Sequence, residues 1–219
     1  MLEEKLNFLK EKIIGYADHI EKMLEKTIDG LLVKKGELLK AVIELDEKKA
    51  NDWEIEIDEL CIDLIALYQP KAKDLRTILM ILKMNNDFER MGDHIVNIAQ
   101  SALFLIEREP VKPLIDIPRM AEETIKMLKD ALKAFMTEDS LLAKNVCERD
   151  FLIDNLRDQI FRELLTYMLS DPKTIERAFH LIRITQNLER IADLSTNLGE
   201  DVIYIVEAKI IKHHKEPKS

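Results

Sequence analysis

The sequence predicts an all-α protein made of two tandem three-helix bundles, and three observations lead to this prediction. The chain has only five glycines and six prolines in 219 residues, too few for the many tight turns of a β-sandwich or barrel. Charged residues make up 34% and hydrophobic residues 47% of the chain, which is typical of long amphipathic helices. Finally, two similar stretches of sequence lie 100 residues apart, on either side of a proline-rich segment.

Three helices are predicted in the first half. Apolar residues spaced three and four apart predict a helix over residues 3–29, which should end between Gly30 and Gly36. A second helical pattern covers residues 37–68. Pro70 starts the third helix, which extends to residue 108, because proline is tolerated in a first helical turn and breaks a helix interior. We therefore assign residues 1–108 to the first bundle and residues 109–117 to a linker.

The second half repeats this organisation. Helices are predicted over residues 118–136, 140–169 and 172–212, with a break at residues 137–140. Asp171 and Pro172 are typical of a helix start, with an N-cap followed by proline at the first helical position. We assign residues 118–212 to the second bundle and expect residues 213–219 to form a disordered tail.

Composition and charge exclude several classes of protein. The net charge of −9 disfavours non-specific binding to the phosphates of nucleic acids. No apolar run approaches the roughly 20 residues of a membrane-spanning helix, and acids stand where a signal peptide needs basic residues. Cys61 and Cys147 lie far apart and are expected to be reduced. The sequence thus predicts a soluble, cytoplasmic protein.

The repeat is clearest in the third helix of each half. Residues 89–97 align with residues 189–197, and Glu, Arg, Asp and Asn are identical at four of the nine positions. The second helices align with an offset of 103, which places Glu47 on Asp150. One face of each third helix carries a heptad stripe, which predicts the buried seam of a bundle. The stripes are Met84, Phe88, Met91, Ile95, Ile98, Ala102 and Leu105, and Ile184, Leu188, Ile191, Ser195, Leu198, Val202 and Ile205.

The opposite faces carry acids and amides, and they are the candidate metal sites. Glu and Asp one turn apart repel each other, but a hard cation can bind both carboxylates. The acids that recur in this arrangement are Glu89 and Asp93, Glu189 and Asp193, and, on the preceding helices, Glu47 (with Asn51) and Asp150 with Asp154. Two other interpretations stay open: the acids could form a solvated face, or Arg90 and Arg190 could neutralise them.

The sequence gives no indication of catalysis. No histidine follows a glutamate at the ExxH spacing of di-iron proteins. The chain also lacks a GxxxxGK[ST] phosphate loop, a GxGxxG motif and a GxSxG motif. We therefore predict that the protein is not an enzyme.

The two ERxxD motifs, each closing a three-helix half, make the sequence resemble the PhoU family over residues 1–210. Other shared motifs are Asn51-x-x-Glu54-x-x-Ile57-Asp58-Glu59-x-Cys61, Gln69-Pro70-x-x-x-Asp74-Leu75-Arg76 and Thr166-Tyr167-Met168. The resemblance implies two tandem three-helix bundles and a cytoplasmic accessory protein that represses phosphate-starvation signalling. It also implies partners, namely the ATPase subunit of the phosphate ABC transporter and the phosphate-sensing histidine kinase. We further expect a homodimer.

The resemblance also implies surface multinuclear metal clusters held by E/DxxxD motifs. Carried over to this chain, the ligands are Glu47, Glu89 and Asp93 in one half, and Asp150, Asp154, Glu189 and Asp193 in the other. Asn51 stands where an acid would complete a further pair. Oxygen ligands leave the metal open among Fe, Mn, Mg and Zn. An enzyme with a hydrolytic or redox metal cluster and a purely structural helical protein are the alternative functions.

Overall fold

A computed structural model describes residues 2–209, in which helices are joined by short connecting segments and no β-strand occurs. The helices are α1 Leu2–Leu32, α2 Gly36–Ala41, α3 Glu47–Tyr68, α4 Ala72–Ile106, α5 Asp116–Thr137, α6 Ser140–Glu148, α7 Asp150–Ser170 and α8 Ile175–Glu207. Helices α1–α4 form the first bundle and α5–α8 the second, which confirms the predicted fold class. The predicted helix end at residue 212 and the predicted tail over residues 213–219 lie outside the described residues.

The second helix of each half is interrupted at the same place. In the first half, a π-helical turn over Val42–Asp46 joins α2 to α3. In the second half, Arg149 separates α6 from α7. Asp46 and Arg149 are equivalent at the offset of 103. As a result Glu47 and Asp150 are the first residues of α3 and α7, and each follows directly on a helix irregularity.

An ion pair ties each interruption to the first helix of its bundle. Lys26 Nζ of α1 lies 2.7 Å from Asp46 Oδ2. In the second half Arg149 Nη1 lies 2.5 Å from Asp130 Oδ2 of α5. The two ion pairs occupy equivalent places, but their charges are reversed. The first helix supplies the base in the first half and the acid in the second half.

The first helix ends within the predicted interval between Gly30 and Gly36. It continues through Gly30, and its last residue is Leu32. Gly30 lies against Leu39 of α2, where an added Cβ would stand 2.7 Å from Leu39 Cδ2. The glycine therefore permits close packing of α2 and does not end the helix.

Helices α4 and α8 join the two bundles. They make the most extensive contact between any two helices of the described chain, and the two predicted seam stripes are buried except for the half-buried Leu105. The apolar side chains of both bundles consequently form one continuous core. Two acids, Asp87 and Asp201, are only 4% exposed. The sequence did not predict them, because both lie beside the apolar stripe.

The linker between α4 and α5 occupies residues 107–115. It is anchored by Lys112, whose side chain is 6% exposed and pairs with Asp116 of α5 and Glu163 of α7. Within the described residues, none of the helices is both long and apolar enough to span a membrane.

Both cysteines are buried, and we expect them to be unreactive in the folded protein. Burial raises the pKa of each thiol to about 12, so the nucleophilic thiolate is scarce at pH 8. Ellman's reagent at pH 8 should react slowly with Cys61 and Cys147 in native protein and rapidly with both in urea. Rapid labelling of either thiol in native protein would contradict the burial seen here.

Candidate carboxylate sites

The predicted acids of α4 and α8 lie away from the buried seams, as expected. Asp93 is exposed and Glu89 is half-buried, whereas the seam residue Met91 between them is fully buried. In α8 Asp193 is half-buried, but Glu189 is only 8% exposed. The two faces therefore differ in solvent access before any partner is considered.

In the first half a third acid, Glu54 of α3, joins Glu89 and Asp93. Burial raises the pKa of Glu89, and the negative charges of Asp93 and Glu54 raise it further. Burial likewise raises the pKa of Glu54, with contributions from Asp58 and Asp93. Within residues 2–209, none of Glu54, Glu89 and Asp93 forms an ion pair. They are a group of mutually repelling carboxylates.

Tyr16 of α1 lies beneath this group. Its side chain is fully buried, with the ring stacked on Trp53 and edge-on to Phe88. Its hydroxyl has no hydrogen-bond partner. Burial raises its pKa, and so do the charges of the same three carboxylates. The hydroxyl is thus an orphaned polar group facing the acids.

Glu54 was not among the predicted ligands, although a signal for it was present. It lies seven residues after Glu47, two helical turns along the same face of α3. How far α3 is shifted along α4 decides which of these two acids reaches α4. Glu54 is the acid whose charge acts on Glu89. Glu47 is half-buried in the first turn of α3, and its role as a ligand stays a prediction.

In the second half the four predicted acids are brought together. Burial raises the pKa of Asp193, and Asp150 and Asp154 raise it further. Two arginines, however, already form ion pairs with these acids. Arg157 Nη1 lies 2.7 Å from Glu189 Oε1 and 3.0 Å from Asp154 Oδ1.

Arg190 engages the same acids from α8. Its Nη1 lies 3.2 Å from Asp193 Oδ2, and its Nε lies 3.5 Å from Glu189 Oε2. Both oxygens of Glu189 therefore face a guanidinium. In this half Arg190 neutralises the acids, in agreement with one of the alternative interpretations of the sequence.

Arg90 behaves differently in the first half. Its Nη1 lies 3.3 Å from Asp87 Oδ1, one turn earlier on α4. At the position equivalent to Asp87, α8 carries Asn187, whose amide has no charge to attract Arg190. The difference at this position explains why Arg90 pairs with Asp87, whereas Arg190 pairs with Glu189 and Asp193.

The donor chemistry of the first half suits a hard cation, since it offers only carboxylate and hydroxyl oxygens. As the side chains stand, no three or more His, Cys, Asp or Glu side chains among residues 2–209 converge on a metal-binding geometry. In the second half the arginines supply the compensating charge.

The comparisons with known proteins identify the family. The family model described as "PhoU domain" matches the chain twice, over residues 13–102 and 117–202. The chain belongs to the PhoU family. A phosphate-specific transport system accessory protein PhoU homolog from Aquifex aeolicus is 42% identical, with 97% of this chain and 96% of the relative aligned. PhoU homolog 2 from Thermotoga maritima is 35% identical, with 99% of this chain and 92% of the relative aligned.

Solved PhoU structures share the whole fold. The crystal structure of PhoU from Pseudomonas aeruginosa superposes with a TM-score of 0.91 at 32% identity, covering 95% of this chain and 100% of that one. A phosphate transport system regulatory protein PhoU from Streptococcus pneumoniae gives 0.89 at 24% identity, over 97% and 100% of the two chains. The tandem PhoU bundles predicted from the repeat are thereby confirmed.

Proposed function

We propose that this chain is a non-enzymatic cytoplasmic adaptor that represses phosphate-starvation signalling and regulates phosphate transport. The observation that supports the proposal most strongly is the alignment, over nearly their full length, with accessory proteins of the phosphate-specific transport system. Its partners in this role are the transporter's ATPase subunit and the phosphate-sensing histidine kinase, and the chain acts as a homodimer. It reaches the membrane through these partners.

The outer surface of α3 supports a docking role. Between residues 51 and 68, α3 has no basic residue and carries four exposed acids: Asp52, Glu56, Glu59 and Asp63. Ile55 and Ile62, two turns apart on this helix, are 59% and 61% exposed. Exposed apolar side chains set among charges of one sign are typical of a surface that binds a partner of opposite charge.

We also propose that the carboxylate faces bind divalent metal. The seven residues inferred from the sequence are the candidate ligands, and we add Glu54 because its charge acts on Glu89. A bound cation would neutralise the acids and stabilise the folded protein, because a ligand that binds only the native state adds to its stability. Metal analysis of untagged protein, purified without added metal, tests this part of the proposal.

A reporter experiment tests the adaptor role. Deleting the gene should derepress a phosphate-starvation promoter in phosphate-replete medium, and the wild-type chain should restore repression. A chain carrying Ile55→Lys and Ile62→Lys should fold but restore repression poorly, because the docking surface loses its apolar contacts and acquires positive charge. Leu141→Lys, on the separate helix α6, is the control. Unchanged reporter expression in the deletion strain would exclude the regulatory role.

A phosphatase assay distinguishes the adaptor from a metal-dependent hydrolase. Protein loaded with Mn²⁺ is expected to hydrolyse p-nitrophenyl phosphate no faster than buffer with the same metal. Turnover that disappears in a Glu89→Gln variant would instead support an enzyme.

A further inference from the structure

The contact between α4 and α8 has an approximate twofold symmetry that follows from the repeat. Near one end Lys83 Nζ lies 2.5 Å from Asp201 Oδ1, and near the other end the rings of Phe104 and His180 stack with their centroids 3.9 Å apart. The two helices are therefore antiparallel, and the same number of residues separates the two contacts on each helix. Because the repeat offset of 100 exchanges α4 with α8, every facing pair at one end has an equivalent pair at the other.

The equivalent of the ion pair, at the end with the stacked rings, is Ser101 with Arg183. Arg183 comes three residues after His180 on α8, and Ser101 comes three residues before Phe104 on α4. Each is about one helical turn from the stacked rings, in the direction of the middle of the contact. The two positions therefore lie opposite each other. This end has kept the base of the ion pair and has a hydroxyl in place of the acid.

The hydroxyl of Ser101 is fully buried and has no hydrogen-bond partner. Other buried hydroxyls of α8 donate to the carbonyl one turn back, as Thr185 and Ser195 do at 2.8 and 2.9 Å. Ser101 does not make this bond. A buried polar group without a partner is costly, and it indicates a ligand or an internal partner that is lacking.

The charge of Arg183 is uncompensated as well. Its side chain is half-buried, and it forms no ion pair within residues 2–209. The second buried acid of the α4–α8 contact, Asp87, is also missing at this end, where Asn187 stands at the equivalent position. The repeat has therefore lost both acids here and retained the arginine.

The surroundings of Arg183 are positively charged. The guanidinium carbon of Arg108 lies 3.5 Å from the ring centroid of Phe104, on which His180 is also stacked. His180 Nδ1 is buried and has no partner. Burial lowers the pKa of His180, and the charges of Arg183 and Arg108 lower it further, against an opposing contribution from Glu176. This end of the contact thus combines two guanidinium groups with polar atoms that lack partners.

We propose that this end of the α4–α8 contact binds a small oxyanion, such as inorganic phosphate, at Arg183 and Ser101. The ion supplies the negative charge that Asp201 supplies at the other end. A guanidinium offers paired N–H groups that match the oxygens of such an ion, and the hydroxyl is a further donor. Because α4 and α8 belong to different bundles, the bound ion joins the two bundles. The site is separate from the acidic faces and the α3 surface, and the inference is independent of the functions proposed above.

Calorimetric titration of the full-length chain with sodium phosphate at pH 7.5 tests this directly. The protein is first treated with a chelator, so that phosphate cannot bind through a metal ion, and sodium chloride at equal ionic strength is the blank. Wild-type protein should bind one phosphate per chain, and phosphate should raise its melting temperature. Sulfate should compete with phosphate, because it has the same shape and similar charge.

Variants at the two positions locate the binding. Arg183→Gln should weaken phosphate binding about 10- to 100-fold, because it removes charge-assisted hydrogen bonds. Arg162→Gln, the same change at an exposed position of α7, is the matched control and should bind as wild type does.

Exchanging the residue at the equivalent position is the sharpest test. Ser101→Asp imports the residue of the other end and gives Arg183 an internal counterion, so it should abolish phosphate binding. Thermal melts without phosphate check that each variant is folded. If Ser101→Asp does not fold, Ser101→Ala replaces it. Ser101→Ala removes only a hydroxyl without a partner, so it should fold normally and weaken phosphate binding about 10-fold.

Several outcomes would overturn the proposal. It fails if wild-type protein binds no phosphate, or if chloride binds equally well. It fails equally if Arg183→Gln binds as wild type does, or if Arg183→Gln and Arg162→Gln weaken binding to the same extent, which would indicate general attraction to positive charge. Phosphate binding by a folded Ser101→Asp variant at wild-type strength would also exclude the site. None of these results would alter the reporter assay or the metal analysis, so failure of this proposal can be told apart from theirs.

Discussion

Asp201→Asn is expected to stabilise the protein by up to about 3 kcal/mol at pH 8, because it removes a buried charge from the seam between the bundles. Burial raises the pKa of Asp201 from 3.8 to about 6 and outweighs the ion pair with Lys83, whose Nζ lies 2.5 Å from Asp201 Oδ1. Its Oδ2 has no hydrogen-bond partner. A shift of this size corresponds to about 3 kcal/mol, at roughly 1.4 kcal/mol per pKa unit.

The sign of the pH dependence follows from the raised pKa. The folded protein holds the Asp201 proton between pH 3.8 and about 6, where the unfolded chain has already released it. The carboxyl of Asp201 therefore does not lower the free energy of unfolding below pH 3.8, and it lowers it fully above pH 6. The difference in unfolding free energy between Asp201→Asn and wild type should grow across this window.

Urea unfolding of both proteins at several pH values from 4 to 8 measures this difference. Asp63→Asn, which removes an exposed carboxylate, should change stability by less than about 0.5 kcal/mol. A variant that is less stable than wild type at pH 8 would show that the Lys83 ion pair outweighs desolvation.

Lys112→Met should destabilise the protein by about 2 kcal/mol, since it breaks the ion pairs that hold the linker against the second bundle. Burial alone would lower the pKa of Lys112, but hydrogen bonds to Glu163 and Asp116 raise it above the ordinary value. Loss of one partner of a buried ion pair costs about 3–5 kcal/mol. The smaller figure is expected here because Asp116 and Glu163 are 18% and 36% exposed and can be rehydrated.

Thermal and urea unfolding at pH 7 measure this loss. Combining Lys112→Met with Glu163→Gln should recover part of it, because the second change removes one of the unpaired carboxylates. Lys133→Met, at an exposed position of α5, is the matched control. Equal stability of the Lys112 and Lys133 variants would show that the linker contributes little.

Much of the fold could be predicted from the sequence, because helix formation and burial follow local periodicity. The heptad stripe from Met84 to Leu105 and its counterpart in α8 define which face of each helix is buried. Asp171 caps the turn before α8 by accepting a hydrogen bond from Lys173 N, 3.0 Å away. The repeat then shows that the whole arrangement occurs twice.

The interruptions within the second helices could not be predicted in this way. Residues 42–46 keep an apolar pattern compatible with a continuous helix, and the π-turn adds one residue without breaking it. The attachments of Asp46 to Lys26 and of Arg149 to Asp130 cross between helices. Such contacts depend on how far one helix is shifted along its neighbour. The spacing of residues along a single helix carries no information about this shift.

The sequence by itself determined the fold class, the duplication and the acidic faces of α4 and α8, because each is a property of residues three, four or one hundred positions apart. Only the tertiary structure decided that Glu54 meets Glu89, that Arg157 reaches Glu189 and that Tyr16 faces the first acidic group. These are relations between helices. They depend on how far one helix is shifted along another and on which nearby charge attracts each arginine, so they are set when the bundles pack.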